Sequence, residues 1–415
     1  MKITRLFASV LALGLVAVAT LAWAASGDPD TSFSGDGVFT FGLVNPAEEG
    51  GTLGAVDPSG RLLVGDGMYG SNMAVARVLP AGGLDASFGG GITQLSDGKV
   101  RMTNAVGVQP DGKVLAAGNG SAGANVFLVR YRANGSPDTT FGADGVAHVK
   151  MCGTTAYETN VFVRSDGSIV VAGDCGNGST SDRLFVLVFK PNGNPDPTFS
   201  GDGQFVLQLG DDFWLRDAVL DGHDRLTIVG SSTVNTGPKR ASVVRVTPKG
   251  TLDRTFSGDG TALFTPAYDN DARAVELRQG GGVLVAEQAS PSSFASSNIL
   301  LFALTVGGKL DTSFSGDGQA TIDVVPFDTP RDLTIDGTGR IYVAATFAYS
   351  AVNEASVIRT KPNGSIDTTF SGDGIAHTGI ASDAWGVTIW KGKPTVVGNA
   401  DFTTDFDALV ARFLA

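Results

Sequence analysis

The chain has 415 residues, with 30 Lys and Arg against 42 Asp and Glu, a formal charge of −12. Without Lys2 and Arg5 the balance is 28 to 42, or −14, and a surface that acidic repels nucleic acid and anionic lipid. No segment after residue 24 is long and apolar enough to span a bilayer, so nucleic-acid binding and membrane spanning are excluded as expectations.

In chain order, residues 1–24 read as a secretory signal. Lys2 and Arg5 precede an apolar run from Leu6 to Leu21, and Ala22-Trp23-Ala24 places small residues where a signal peptidase reads. That run falls short of the roughly 20 residues of a membrane span. The expected mature chain is therefore residues 25–415, exported to the periplasm or beyond, as one domain.

From Asp30 onward one phrase recurs. Asp30-Thr31-Ser32-Phe33-Ser34-Gly35-Asp36-Gly37 returns at Asp138–Gly145, Asp196–Gly203, Asp253–Gly260, Asp311–Gly318 and Asp367–Gly374, with a worn copy at Asp85–Gly91. The phenylalanines Phe33, Phe88, Phe141, Phe199, Phe256, Phe314 and Phe370 are spaced 55, 53, 58, 57, 58 and 56 residues apart. So steady a period denotes an array of one supersecondary unit, each burying an apolar face against the next. Gly, at 57 residues, recurs at turn positions and does not signal disorder.

Within one unit the segments Val146-Ala147-His148-Val149, Asn160-Val161-Phe162-Val163, Ile169-Val170-Val171-Ala172 and Leu184 to Phe189 are β-branched or aromatic and bounded by Asp-Gly or Asn-Gly turns. Four strands per unit, seven times over, predict an all-β, seven-bladed β-propeller of four-stranded blades. The turn-linked pair Ala55-Val56 and Leu62-Leu63-Val64 would supply the inner strands of a blade. On that phase the chain opens with an outer strand, Val38-Phe39-Thr40-Phe41, and ends with a third strand, Ala408 to Phe413. The N-terminal strand should therefore join the C-terminal blade and close the ring, removing exposed sheet edges.

The segments Asp57-Pro58-Ser59-Gly60-Arg61, Pro110-Asp111-Gly112-Lys113, Arg130 to Gly135 and Leu310 to Gly318 resemble the repeats of the bacterial delta-60 repeat family, over essentially the whole mature chain. The resemblance implies an exported β-propeller and no defined reaction.

The repeated residues read as scaffold. Each phenylalanine should pack between neighbouring units, and Arg77, Arg130, Arg245, Arg359 and Arg412 should bond the turn carboxylates from the third strand. Two carboxylates per turn, such as Asp30 with Asp36 or Asp311 with Asp317, fall short of the about six to eight oxygens calcium takes, so no cofactor is expected and calcium is the disfavoured alternative. His148, His223 and His377 show no metal-ligand spacing, and no nucleophile-elbow or phosphate-loop motif is present. Cys152 and Cys175, in one unit of an exported chain, are expected to form a disulfide.

Function should lie where the units differ. The irregular loops Asn119 to Ala124, Asp174 to Asp182, Ser231 to Arg240, Glu287 to Ser297 and Thr346 to Glu354 share one face. Aligned at the entry of the inner strand, the units read Thr52, Asn104, Thr159, Arg216, Arg273, Arg331 and Trp385. Three arginines in succession, with Trp214 and Tyr268 nearby, could grip a carboxylate or phosphate while the rings stack on a sugar or peptide. The competing expectation is that Asp217, Asp271 and Asp332 neutralise them in local pairs. The reading reached is a monomeric binding protein for a glycan, peptide or cell-surface protein. The alternatives are an enzyme, a lyase or glycosidase, at the channel mouth, and a structural module of the envelope.

Overall fold

The structure, a computed structural model, describes residues 24–43, 51–66, 73–95, 102–120, 125–177, 182–234, 237–264, 269–292, 296–324, 328–349, 352–401 and 406–415. The signal segment 1–23 and Tyr268 lie outside the described residues, as do parts of all five irregular loops. Among the described residues no helix is long and apolar enough to cross a membrane.

The chain is all-β. Five antiparallel sheets of four strands follow one another, opening on the inner strands Gly51–Val56, Ala105–Val108, Thr155–Val163, Asp212–Leu220 and Asn270–Leu277. A seven-stranded sheet follows, beginning at Asp328–Ile335. Its strand Ile375–Trp390 pairs through Ile375 to His377 with Val352–Thr360, and through Ser382 to Trp390 with Lys393–Asp401. Its far edge is Val38–Phe41, laid antiparallel on Phe406–Arg412 with Val38 opposite Ala411 and Phe41 opposite Ala408.

Central strands are covered on both faces and read as largely apolar runs, as in Leu62–Asp66 and Met73–Val78, where every residue is buried, Asp66 and Arg77 included. Fourth strands meet solvent on one face and alternate, as in Val146–Lys150. The buried side chains form seven clusters, each between two neighbouring sets of strands. One of them joins Leu62, Val64 and Val78 from the start of the chain to Trp390, Val397 and Val410 from its end. The expected Cys152–Cys175 disulfide is formed, with the Cα atoms 5.5 Å apart.

The repeated phrase is an interlocking device. All seven phenylalanines are buried, and each ring lies under a guanidinium at 4.4–5.5 Å. The five third-strand arginines pair as expected: Arg77 with Asp85, Arg130 with Asp138, Arg245 with Asp253, Arg359 with Asp367 and Arg412 with Asp30. Val188 and Ala303 occupy the equivalent place in the other two units. There the cation comes from the turn after the inner strand, as Arg164 over Phe199 and Arg278 over Phe314. The second Asp of the phrase caps the next strand, as when Asp36 Oδ1 accepts from Val38 N at 3.0 Å. Ser34, Ser200, Ser257, Ser315 and Ser371 all adopt φ of 54–55°, a left-handed conformation that non-glycine residues hold only under tertiary constraint.

One junction departs from the rest. At six turns the amide after the phenylalanine donates to a carbonyl of the neighbouring unit: Ser34 to Ala81, Gly89 to Asn134, Gly142 to Asn192, Ser200 to Lys249, Ser257 to Gly307 and Ser371 to Ser26. At the same six, an arginine Nη1 reaches across to Pro80, Ala133, Pro191, Pro248 or Val306 O, or to Ser26 Oγ. Among the described residues Ser315 has neither bond, and a cleft of about 410 Å³ opens between it and Asn363. Two missing bonds worth about 1 kcal/mol each predict that the Ser315 amide exchanges with solvent deuterium at least about tenfold faster than that of Ser257. Equal protection at the two serines would show that the junction is as tight as the others.

Candidate functional site

The inner strands do not run in simple register. Pairing with the second strand slips by one residue between Glu158 and Asn160, Leu215 and Asp217, Ala272 and Ala274, Pro330 and Asp332, and Ala384 and Gly386. The residues left over are Thr159, Arg216, Arg273, Arg331 and Trp385. Such a β-bulge leaves one residue unpaired and re-aims its side chain. Glycine on the partner strand permits the close backbone approach at three of these slips. A Cβ on Gly173 would lie 2.2 Å from Tyr157 O, one on Gly230 would lie 2.1 Å from Trp214 O, and one on Gly398 would lie 1.9 Å from Asp383 O. In the first unit the irregularity instead falls between Leu53 and Val56, and Ala105–Val108 pairs without a slip.

Arg216, Arg273, Arg331 and Trp385 line one cavity of about 1100 Å³, together with Asn104. The expected pairing of each arginine with its own aspartate holds only at Asp271. That carboxylate takes Arg216 through Nε at 3.1 Å and Nη2 at 2.9 Å, and Arg273 Nε at 3.1 Å. Arg273 Nη2 donates to Gln288 Oε1 at 2.8 Å. Burial alone would raise the Asp271 carboxyl, but Arg216 and Arg273 override it and hold it below the usual range. Burial pushes the Arg273 guanidinium down to about 10, against the pull of Asp271 and with repulsion from Arg216 and Arg331.

Asp217 and Asp332 are committed elsewhere. Asp217 accepts from Val275 N at 2.8 Å, Ala218 N at 2.7 Å and Asn160 Nδ2 at 2.9 Å. Asp332 accepts from Val387 N at 2.8 Å and Leu333 N at 2.7 Å. Each ties its inner strand to a neighbouring one by taking an edge amide that no strand pairs, because buried backbone donors need a partner. Burial pushes the Asp217 carboxyl up to about 6 and raises that of Asp332, which Asp217 and Glu276 repel. Glu276, also in the cavity wall, is pushed by burial up to about 7.

Trp385 is 36% exposed, its Nε1 donates to Asn399 Oδ1, and the Arg331 guanidinium carbon lies 4.8 Å from its ring centroid. Trp214 is not among the cavity residues, and Lys239 Nζ lies 5.1 Å from its ring. Sequence reasoning missed Gln288 and Glu276. It also missed Glu287, a buried acid pushed up to about 8 by burial, then by Asp271, in a place where other units carry Gly173, Gly230, Ala345 or Gly398. That break in a small-residue column was the available signal.

Repeated four-stranded units with interlocking turns and a common central cavity define a β-propeller repeat protein. Four segments, 109–141, 164–199, 224–256 and 337–370, match the family described as "Domain of unknown function (DUF5122) beta-propeller". Among solved structures, the fold is similar to a polysaccharide lyase described as "PL25-Ulvanlyase bound to -[GlcA(1-4)Rha3S]-", at TM-score 0.57 and 8% identity, covering 90% of this chain and 96% of that one. It is also similar to polysaccharide lyase Uly1, at TM-score 0.50 and 10% identity, covering 91% of this chain and 98% of that one. At such identities the likeness is one of fold. No curated protein matches the sequence.

Proposed function

We propose that this chain is an exported, monomeric, seven-bladed β-propeller of the delta-60 type, closed by its N-terminal strand, that binds a glycan, peptide or cell-surface protein at the mouth of its channel. Seven blades follow from dividing the seven-stranded sheet within Ile375–Trp390. Closure is supported by the pairing of Val38–Phe41 with Phe406–Arg412 and by the cluster joining Leu62 to Trp390. Export is supported by the order of charge, apolar run and small residues in 1–24, and by the disulfide.

The observation that carries the binding reading is the set of bulges. Four consecutive inner strands each spend an irregularity on turning Arg216, Arg273, Arg331 or Trp385 into one cavity. The same slip recurs at Thr159, so the bulge itself belongs to the repeat, and these four units use it to re-aim a guanidinium or an indole. On a glycan and peptide array, residues 25–415 are expected to bind a defined class, and Arg273→Ala to bind it at least about tenfold more weakly. Binding unaffected by that change would move the site off the channel.

A second reading is an enzyme, a lyase or glycosidase. It is favoured by Glu276 and Asp217, whose carboxyls, raised to about 7 and about 6, line the same cavity as the arginines and suit proton transfer near neutral pH, with Asp332 in the same wall. The fold it shares with polysaccharide lyases is compatible with it. Turnover of a bound polysaccharide, abolished by Glu276→Gln with binding retained, would establish it.

A further inference from the structure

We infer that the group recognised at the channel mouth is a carboxylate carried on a sugar ring, a uronate unit, held by Arg331 with its ring against Trp385. The inference rests on the channel-mouth reading and narrows it to one chemical class.

The charge count comes first. Three guanidiniums meet in the cavity, and one carboxylate, Asp271, pairs with them. Arg216 makes two hydrogen bonds to it, and Arg273 pairs with it by charge at 3.1 Å and donates Nη2 to Gln288, although the Arg273 Nε is itself buried without a hydrogen bond. Among the described residues Arg331 has no ion pair and no hydrogen bond, and its Nε is buried without a partner. Asp383 attracts it from beyond the 4.0 Å of an ion pair and is itself held by Asn353 Nδ2 at 3.1 Å. A guanidinium kept in a cavity wall without a counter-charge is in an unfavourable state that an incoming anion relieves. Asp217, Glu276 and Asp332 line the same cavity, but burial raises all three carboxyls toward their neutral forms and none forms an ion pair with Arg331 among the described residues; the bulge places the Arg331 guanidinium there.

The geometry selects among anions. The guanidinium carbon of Arg331 lies 4.8 Å from the indole centroid, and among the described residues its terminal N–H groups make no hydrogen bond, which leaves a fork of donors beside the ring. That fork matches the two oxygens of a carboxylate. The indole is anchored through Nε1 and remains 36% exposed, an apolar plate beside the anion position. A charged fork and a plate side by side fit a pyranose that carries its carboxylate directly on the ring. An acidic peptide would satisfy the fork and leave the plate unused.

The test is calorimetry of residues 25–415 with oligogalacturonate and oligoglucuronate. The same oligomers with every carboxyl reduced to the alcohol, and a polyglutamate peptide, serve as comparison. We expect at least one uronate oligomer to bind, its reduced form to bind at least tenfold more weakly, and Arg331→Gln to erase that difference while leaving the reduced form unchanged. Trp385→Ala should weaken both sugars alike. Equal binding of native and reduced oligomers overturns the inference while leaving the channel-mouth reading intact, and so does binding of polyglutamate alone. Binding of none of the probes overturns the uronate assignment, and array binding lost in Arg273→Ala then decides whether the channel-mouth reading survives. The native-against-reduced comparison uses the unaltered chain, so a variant that fails to fold leaves it decisive.

Discussion

Phe33→Ala is expected to lower the stability of the folded chain by about 3–5 kcal/mol, as much as Phe256→Ala in the middle of the array. Position near a terminus would ordinarily argue for a small effect, because chain ends fray. Here the ring is fully buried, meets Trp390 edge-on at 5.8 Å and lies under Arg412 at 4.7 Å. Arg412 also donates to Asp30 Oδ2 at 2.6 Å and to Pro80 O at 2.7 Å, and Lys393 reaches the same aspartate at 2.7 Å. One aromatic thus joins the two ends of the chain and the first turn. Truncating it opens a cavity at the place where the proposed closure would depend on non-covalent contacts alone. Urea denaturation of both variants checks this. A loss below about 1 kcal/mol for Phe33→Ala, against several for Phe256→Ala, would mean that the ring is not clasped by its N-terminal strand.

Stability should peak in mildly acidic solution and fall toward pH 9. Burial raises the carboxyls of Asp217 to about 6, Asp174 and Glu276 to about 7, and Glu287 to about 8. A folded-state value above the unfolded one gives a contribution complete below about pH 4 and lost as pH rises through 6 to 8. The opposite group works at low pH. Burial disfavours the ionised forms of Asp30 and Asp85, yet Lys393, Ser32 and Arg412 hold the first at about 2, and Ser87, Arg77 and Arg61 hold the second there. Their contribution is present above about pH 4 and lost as pH falls toward 2, so the two sets leave a maximum near pH 4–5. Glu287 is the sharpest probe, being 1% exposed with Oε1 unpartnered. Glu287→Gln should stabilise by a few kcal/mol at pH 9 and change stability by less than about 1 kcal/mol at pH 5, since each pKa unit is about 1.4 kcal/mol. Denaturation midpoints at the two pH values decide it. An equal shift at both would mean that the side chain matters by shape and its ionisation does not.

Much of this was legible before any coordinates. The seven phenylalanines, the third-strand arginines and the turn aspartates recur because every unit needs them, so repetition itself exposed their role. The phase of the strands placed Cys152 and Cys175 on one face, and they are bonded. Where a unit departs from the pattern, repetition gave no help. Arg164 and Arg278 cover Phe199 and Phe314 from turns 35 and 36 residues upstream in sequence. The lost bonds at Ser315 arise from how two turns sit against each other. Asp217 and Asp332 stand beside arginines in sequence yet face backbone amides of a neighbouring strand.

The sequence by itself determined the array: its period, its four strands per unit, the turns that bound them, and the column holding Arg216, Arg273, Arg331 and Trp385. These are local or repeated features, set by alternation, by turn chemistry and by copies that agree. Only the tertiary structure decided what that column does. A bulge is a property of two strands, created where the inner strand carries one residue more than its partner can pair, so no single segment encodes it. The same slip turns three guanidiniums into one cavity, where Asp271 pairs with two of them and Arg331, over Trp385, has no ion pair or hydrogen bond among the described residues.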